Sequence, residues 1–391
     1  MRTLVVLGGG AAGFFGAIAA AEKNPTAKVI LFERTATLLA KVRISGGGRC
    51  NVTHACFDPK QLIQNYPRGG KELLGPFHTF QPRDTIAWFQ QRGVELKTEE
   101  DGRMFPVTDS SETIINCLMQ AAADAGVEIR LTQKVDSVEK IEGKFHLAGL
   151  EADALLLATG SHPKGHAIAE KLGHSLVPPV PSLFTFNIPN FALEELAGIS
   201  VNPATVHVGG RKQQGPLLIT HWGFSGPAAL KLSAWEARTL HACDYQTKLI
   251  VNWLPEEEKL KELLLDFKAQ NPIQTLIRTP AELPKNLWKK LLEIHHFAHD
   301  KRWCDLPNKE LFRLATLLQA DPYTVSGKTT YKQEFVTCGG IPLDEVNFKT
   351  LESRKCPGLF FAGEILDIDG ITGGFNFQSA WTTSTLAARA M

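Results

Sequence analysis

The sequence has no C-x-x-C pair, and its seven cysteines lie far apart along 391 residues. That spacing excludes a secreted disulfide framework and a zinc ribbon, and it predicts a reducing, cytoplasmic setting. An excess of one charge is lacking too: 42 Lys and Arg face 41 Asp and Glu, for a formal net charge of +1. Affinity resting on global attraction to nucleic acid or to anionic membrane is thereby excluded, and only a local basic patch could serve. There is no internal repeat and no low-complexity tract, and 43% hydrophobic with 21% charged residues excludes disorder. One long apolar run exists, residues 4–21, but five glycines interrupt it and Glu22-Lys23 follows. With no evident cleavage site, it reads as a buried strand, a glycine turn and a buried helix, not as a signal peptide or membrane anchor.

What is present begins at that run. Residues 3–7, TLVVL, form an apolar strand, and Gly8-Gly9-Gly10-Ala11-Ala12-Gly13 fits G-x-G-x-x-G. Gly8 permits the tight turn, Gly10 lets backbone approach a pyrophosphate, and Gly13 allows close helix–strand packing. The helix opening at Ala11 aims free N–H groups and its positive dipole end at phosphates. A second strand, residues 28–32, ends at Glu33, 20 positions after Gly13. An acid there accepts from ribose hydroxyls, which favours FAD or NAD over NADP. The other reading of these residues is a glycine-rich turn followed by a surface glutamate.

The rest of the chain chooses between FAD and NAD. No second G-x-G-x-x-G follows a strand in residues 160–330. This argues against a glutathione-reductase-type NAD(P)H domain and leaves NADPH or NADH to dock transiently. Residues 41–51, KVRISGGGRCN, form a second glycine-rich loop in which Lys41, Arg43 and Arg49 have no acid nearby in sequence. A flat ligand can lie against such a backbone, although a flexible surface loop with solvated cations is the bland alternative. Residues 128–130 and 134–147 read as meander strands, and residues 152–160, ADALLLATG, as a buried strand ending in Ala158-Thr159-Gly160. Residues 358–364, GLFFAGE, form another strand ending in Gly363-Glu364, and an Ala-rich helix over 379–391 follows a glycine block at 369–378. A Gly-acid pair can reach a ribityl hydroxyl. A glycine-started helix can present its dipole to the N1–O2 edge of a flavin.

Together these blocks resemble one bacterial flavoprotein family, the BaiN/RdsA type, also described as aminoacetone-oxidase-like or NAD(P)/FAD-dependent flavoprotein oxidoreductases. The matching stretches are ISGGGRCN at 44–51, DGRMFPVTD at 101–109, ATGSHPKG at 158–165, THWGFSGPAAL at 220–230, VTCGGIPLDEV at 336–346 and residues 351–380. One departure is Ser161-His162, where the family often continues Gly-x-Ser. The resemblance implies an α/β fold: a glutathione-reductase-like Rossmann FAD-binding domain, discontinuous, with an inserted β-plus-helical domain. The expected boundaries are 1–182 and 335–391 for the FAD domain and 183–334 for the insert, with a helical subdomain at about 254–320. Hairpin signals around Gly209-Gly210, helices over 254–270, 284–297 and 307–319, a stiff linker at 178–181 and a return crossing near 332–337 agree with that plan.

The resemblance also implies which residues meet FAD. In the first half they are Gly8, Gly10, Ala11, Ala12, Gly13, Glu33 and Arg34, then Lys41, Ser45, Gly46, Gly47, Arg49, Cys50 and Asn51. Val135, Ala158, Thr159 and Gly160 follow, and Gly363, Glu364, Gly373, Gly374, Phe375 and Asn376 complete the set. The implied activity is reduction of an activated C=C bond, in substrates as different as steroid-like enones and uridine in ribosomal RNA. The latter would be dihydrouridine synthesis, an rRNA modification. Oxidation of a small amine such as aminoacetone, and a non-enzymatic FAD-stabilised RNA-binding protein, stand as alternatives. Partners are thus a small molecule or ribosomal RNA, with no membrane, and the oligomeric state is left open.

Three residues are candidates for catalysis. His221, between a strand and the Gly226-Pro227 helix start, could act as acid or orient substrate, or could satisfy backbone groups. Cys50 could protonate a substrate carbon or be an inert core thiol. Arg103 could hold a carbonyl or phosphate or form a surface salt bridge. Asp367 and Asp369 are assigned to helix capping, and Cys338 and Cys356 to the core. The spacing of Cys50, His54 and Cys56 fits no standard zinc pattern, so no metal is expected. Residues 284–303 carry five cations, three histidines and Trp288 and Trp303, a composition that can grip RNA. At helical spacing, however, Trp288, Leu291, Leu292 and Phe297 more simply form a buried face.

Overall fold

A computed structural model describes residues 1–257, 259–329 and 336–391. The chain divides into two units, Met1–Val180 with Lys332–Met391, and Pro181–Tyr331. The 334/335 boundary and most of the return crossing expected near 332–337 fall on residues 330–335, outside the described residues, while Val336 and Thr337 open the strand Val336–Gly340.

The first unit is built on a sheet whose core strands run parallel. Strand β1 (Thr3–Leu7) lies between β2 (Lys28–Phe32) and Ala154–Leu157, with Leu359–Phe361 beyond the latter and Glu128–Arg130 beyond β2. Val6 sits in register with both Leu31 and Leu156. Leu4, Val5 and Val6 are fully buried, as strands covered on both faces require. Helix α1 (Ala11–Lys23) covers one face and packs on the C-terminal helix Phe375–Ala390. A side chain at Gly16 would meet Leu156 at 2.6 Å and Ser384 at 3.3 Å, so glycine lets the helix sit between strand and partner.

Several expectations are corrected. Glu128–Arg130 is not a meander strand but the parallel edge strand beside β2. The meander proper is Glu139–Ile141, Lys144–Leu147 and Leu150–Ala152. The loop expected over 41–51 is largely helix α2 (Ala40–Gly48), broken where Ser45, Gly46 and Gly47 leave helical backbone angles. The C-terminal helix opens at Phe375, four residues early, because Gly374 takes the left-handed conformation that begins it. The boundary between the units falls within residues 178–181, where a stiff linker is expected, and the segment is extended as the strand Val177–Ser182, since proline is tolerated at a sheet edge.

The second unit has an antiparallel sheet in the order Asp321–Ser326, Gln246–Asn252, Ser200–Val208, Arg211–Thr220, Gly223–Ser225, Thr185–Asn187, Lys328–Thr329. Ser200–Val208 and Arg211–Thr220 form the hairpin around Gly209-Gly210. Helices Leu260–Gln270, Lys285–Ile294 and Asn308–Gln319 follow, each shorter at its start than the sequence pattern suggested. Their apolar faces close a core that includes Trp253, Trp288 and Trp303.

Candidate cofactor site

Every cofactor-site candidate of the sequence lies in the first unit. At the C-terminal end of β1, Gly8 adopts φ +115°, and a Cβ there would strike the Ala158 carbonyl at 2.4 Å. A Cβ on Gly13 would lie 1.8 Å from the Gly8 carbonyl, so this pair fixes the helix against the strand. Gly10 differs: a Cβ would meet nothing within 4 Å, and no side chain caps α1 there. The turn therefore exposes an open backbone surface beneath uncapped N–H groups, including those of Ala11 and Ala12, where an anion is favoured.

Glu33 stands at the end of β2 with its carboxylate already aimed. It accepts from Gly9 N at 2.8 Å and from Thr35 N and Oγ1 at 2.8 and 2.9 Å. These bonds fix the carboxylate plane while leaving lone pairs for hydroxyls. Arg34 is exposed beside it. The loop carrying Val135 is tied to the same corner by Gln133 N to the Glu33 carbonyl at 3.1 Å.

Helix α2 brings the second glycine segment. Gly46 packs against Phe105, whereas Gly47 and the neighbouring Gly48 face open space. Ser45 donates to the Val42 carbonyl at 2.9 Å, and its own carbonyl accepts from Cys50 N at 2.9 Å. Asn51, with its amide oriented to satisfy both ends, donates to the Thr53 carbonyl at 3.0 Å and accepts from Gly374 N at 2.9 Å. One side chain thus joins the two glycine blocks.

The cations of this segment are not free of acids, contrary to the reading by sequence proximity. Lys41 pairs with Glu364 at 2.6 Å, Arg43 with Glu112, and Arg49 with Glu99 at 2.6 Å. Arg49 also lies 4.0 Å over the Phe105 ring. The Glu99 carboxylate raises its pKa, which keeps it charged. The fold brings these acids from 50 or more residues away.

At the other side of β1, Gly160 (φ +59°) would place a Cβ 3.7 Å from Glu364 Oε2. Glu364 also accepts from Thr337 N at 3.0 Å. Gly363 donates to Thr383 Oγ1 at 3.0 Å, and its Cβ position is 2.9 Å from Ala12. Ala158, Thr159, Gly363 and Ala12 are therefore drawn to the same end of the sheet.

The 369–376 block is clamped by residues the sequence did not single out. Asp369 is fully buried in a bidentate ion pair with Arg68, Nε to Oδ1 at 2.5 Å and Nη2 to Oδ2. Tyr66 donates its hydroxyl to the Phe375 carbonyl at 2.7 Å. Asn376 locks Gly370 reciprocally, accepting from its N–H at 2.8 Å and donating to its carbonyl at 2.9 Å. Gly373 and Gly374, both at positive φ, then lead into the C-terminal helix without a side-chain cap. The assignment of Asp369 and Asp367 to helix capping is corrected: Asp369 pairs with Arg68, and Asp367 accepts from Gly339 N at 2.9 Å. An acid in a glycine block could have signalled Asp369; nothing local marks Arg68 or Tyr66.

The catalytic candidates separate. Cys50 is fully buried, and burial pushes its thiol up to about 12, which makes it a weak acid closed off from solvent. Arg103 is engaged by Asp101 at 2.7 Å and Glu99 at 2.8 Å. His221 belongs to the second unit, exposed beside Trp222 at the tip between Arg211–Thr220 and Gly223–Ser225. Cys338 and Cys356 are core residues.

A dinucleotide fits this arrangement on the structure's own terms. Open backbone at Gly10, Gly47 and Gly48 leaves a cradle that side chains would fill. Two helices begin uncapped beside it. Among the described residues, buried Thr159 Oγ1 and Ser379 Oγ have no hydrogen-bond partner, an unusual cost that a polar ligand would remove.

The fold and site define a Rossmann-type, FAD-dependent oxidoreductase. More narrowly, the chain belongs to the family described as the HI0933-like protein Rossmann domain, whose model matches residues 2–390. It is 30% identical over 402 residues to the ribosomal RNA dihydrouridine synthase of Escherichia coli strain K12, covering 98% of this chain and 96% of that protein. It is 28% identical over 409 residues to the 3-dehydro-bile acid delta(4,6)-reductase of Clostridium scindens, covering 100% and 99%. Among solved structures, the fold resembles a flavocytochrome c3 fumarate reductase in its open conformation, with TM-score 0.52 and 16% identity over 100% of this chain and 78% of that one. It also resembles 3-ketosteroid delta1-dehydrogenase from Sterolibacterium denitrificans, with TM-score 0.51 and 12% identity over 99% of each chain. Among the described residues, no helix is long and apolar enough to cross a membrane.

Proposed function

We propose that this chain is a cytoplasmic, NAD(P)H-driven reductase of an activated carbon–carbon double bond, and that its substrate is uridine in ribosomal RNA. The observation that carries the reading is the near full-length similarity to two proteins named for such chemistry, a dihydrouridine synthase and a delta(4,6)-reductase. FAD, when bound, supplies hydride transfer at its N5 atom. The chain's residues supply the setting. Glu33 would hold ribose hydroxyls, and the uncapped start of α1 would neutralise pyrophosphate charge. Glu364, held by Lys41 and Thr337, would take a ribityl hydroxyl. The start of the C-terminal helix, fixed by Asn51, Tyr66 and Asn376, would favour electron density on the flavin's N1–O2 edge. Of the three catalytic candidates, His221 alone presents an exposed titratable ring, and we nominate it to orient or protonate substrate.

The test has two parts. Anaerobic mixing of the purified protein with NADPH or NADH should bleach the flavin absorbance; no bleaching by either refutes the reductase reading. Mass spectrometry of ribosomal RNA from deleted and complemented cells should show a dihydrouridine lost and restored. An unchanged modification profile refutes the RNA substrate, and restoration by a flavin-binding, redox-dead variant would favour an RNA-binding role over catalysis.

A further inference from the structure

Residues 51–54 lie along the start of the C-terminal helix and reach it with three side chains. Asn51 accepts from Gly374 N at 2.9 Å, and Thr53 donates its hydroxyl to Gln378 Oε1 at 2.6 Å, one turn into the helix. The third side chain is His54. Its ring stacks on that of Phe375, the first helical residue, with centroids 4.7 Å and planes 22° apart.

The imidazole is held in place from its own strand. His54 pairs with Arg103 where Thr53–His54 runs antiparallel to Arg103–Pro106, and Ala55 N donates to the Gly102 carbonyl at 2.8 Å. That pairing brings the turn before Arg103 against the ring. A Cβ on Gly102 (φ +85°) would lie 2.4 Å from His54 Cε1, so only glycine admits the ring there. Nε2 lies 3.1 Å from the Asp101 carbonyl, which can only accept, so Nε2 donates and the bond sets the ring's rotation. The rim of the same ring meets the glycine block. A Cβ on Gly373 would lie 2.7 Å from Phe375 Cε2 and 3.5 Å from His54 Cδ2, so the Gly373 backbone rests beside both stacked rings. Tyr66 meets the Phe375 ring edge-on, with centroids 6.1 Å apart, while its hydroxyl holds the Phe375 carbonyl. Gly373 and Gly374 have the loosest backbones of the block, at φ +133° and +91°, and the Phe375 ring that follows them is fixed by its neighbours.

We propose that His54 is a positioning residue for the flavin: its ring, held by the Asp101 carbonyl and stacked on Phe375, sets the direction in which the backbone of residues 373–375 presents its N–H groups. The inference rests on the reading above that puts the flavin's N1–O2 edge at this helix start, and it names the side chain that aims the helix. N–H groups and a positive dipole end directed at that edge favour the electron-rich reduced ring over the oxidised one. Slackening the aim therefore lowers the flavin's midpoint potential as well as the affinity for FAD.

The test measures FAD dissociation, the flavin midpoint potential against reference dyes, and thermal melting, all on the full-length FAD-loaded protein. His54→Gln keeps an N–H for the Asp101 carbonyl but has no ring, whereas His54→Phe keeps a ring and loses the donor. His54→Gln should weaken FAD binding about three- to tenfold, the worth of one stacked aromatic pair, and should lower the potential of the flavin that stays bound. His54→Phe should hold both near wild type. Phe375→Leu removes the stack from the helix side and should reproduce the His54→Gln result, with little further loss when the two are combined. It reads the stack even where a His54 variant folds poorly. Asn51→Leu, which frees Gly374 N, tests the flavin's place at the helix start without touching His54. A lowered potential in Asn51→Leu, with wild-type potentials in His54→Gln and Phe375→Leu, overturns the proposal alone, even if both melt earlier. Wild-type potentials in all three overturn the flavin's placement and the proposal together. A lowered potential in His54→Phe with a wild-type one in His54→Gln assigns the effect to the Asp101 bond and also overturns the proposal.

Discussion

Replacing Asp369 by asparagine should be among the most damaging single-atom changes available in the first unit. Asp369 has no solvent exposure and the Arg68 side chain only 13%, so solvent screens their pair little. The amide removes the charge and one acceptor, leaving the guanidinium nearly buried and half matched. Breaking a buried, hydrogen-bonded pair from one side costs about 3–5 kcal/mol, because the surviving charge stays desolvated. For a unit of this size, about 2–4 °C of melting temperature accompanies each kcal/mol, so a fall on the order of 10 °C is expected. The loss should also reach the cofactor, since Asp369 begins the block whose Gly373 and Gly374 start the C-terminal helix. Thermal melting by circular dichroism, with flavin content measured on the same samples, checks both effects. The double variant Arg68→Met, Asp369→Leu leaves no charge unpaired and should recover most of the melting temperature. An Asp369→Asn protein melting within about 2 °C of wild type, where about 10 °C is expected, refutes the reasoning.

Two glycines of one motif should respond oppositely. Gly10→Val enters open space at ordinary backbone angles (φ −91°, ψ −171°), so it should leave the apoprotein's melting temperature near wild type and abolish retention of FAD. Gly13→Val would drive a Cβ to 1.8 Å from the Gly8 carbonyl and should impair folding itself, seen as insoluble or molten protein. A different effect is expected from acid. Burial opposes ionisation of Glu345, but hydrogen bonds from Lys355, Ser175 and His174 outweigh it and bring its pKa from 4.5 down to about 2. A carboxylate with a depressed folded-state pKa stabilises fully above its unfolded value and progressively less as pH falls through the folded one. About 3 kcal/mol should therefore be lost between pH 5 and pH 2, and Glu345→Gln should flatten this part of the stability–pH curve. An identical acid limb in the two proteins, measured by urea unfolding, contradicts the assignment.

The parts of the site legible in the sequence are those that depend on local backbone. Gly8, Gly10 and Gly13 announce themselves because a tight turn, an open approach and a helix contact each demand a missing side chain within six residues. Glu33 is legible because one βαβ unit sets its spacing. Even so, the sequence says nothing of why Glu33 points where it does, which depends on Gly9 and Thr35. Fold class follows from the same local signals, since strands apolar along their whole length at 3–7, 154–157 and 359–361 suit a parallel sheet covered on both faces, and these do pair in parallel. The first two of these strands pair directly in register.

Pairing between distant side chains is what escapes. Lys41, Arg43 and Arg49 look like unpaired cations around a glycine loop because their acids stand at 364, 112 and 99. That reading would have made the loop a strongly positive trap for phosphate, whereas it is nearly neutral and its openness comes from Gly47 and Gly48. Arg68 and Asp369 are 301 positions apart, and neither neighbourhood hints at the other. The same blindness cuts the other way in the second unit. There a run of lysines, histidines and tryptophans looks like an RNA-stacking surface, yet the tryptophans face the core and only their N–H groups reach back to the surface. The side chains that do face solvent include Ile273 and Ile277, whose apolar character, read from sequence alone, would have assigned them to the interior.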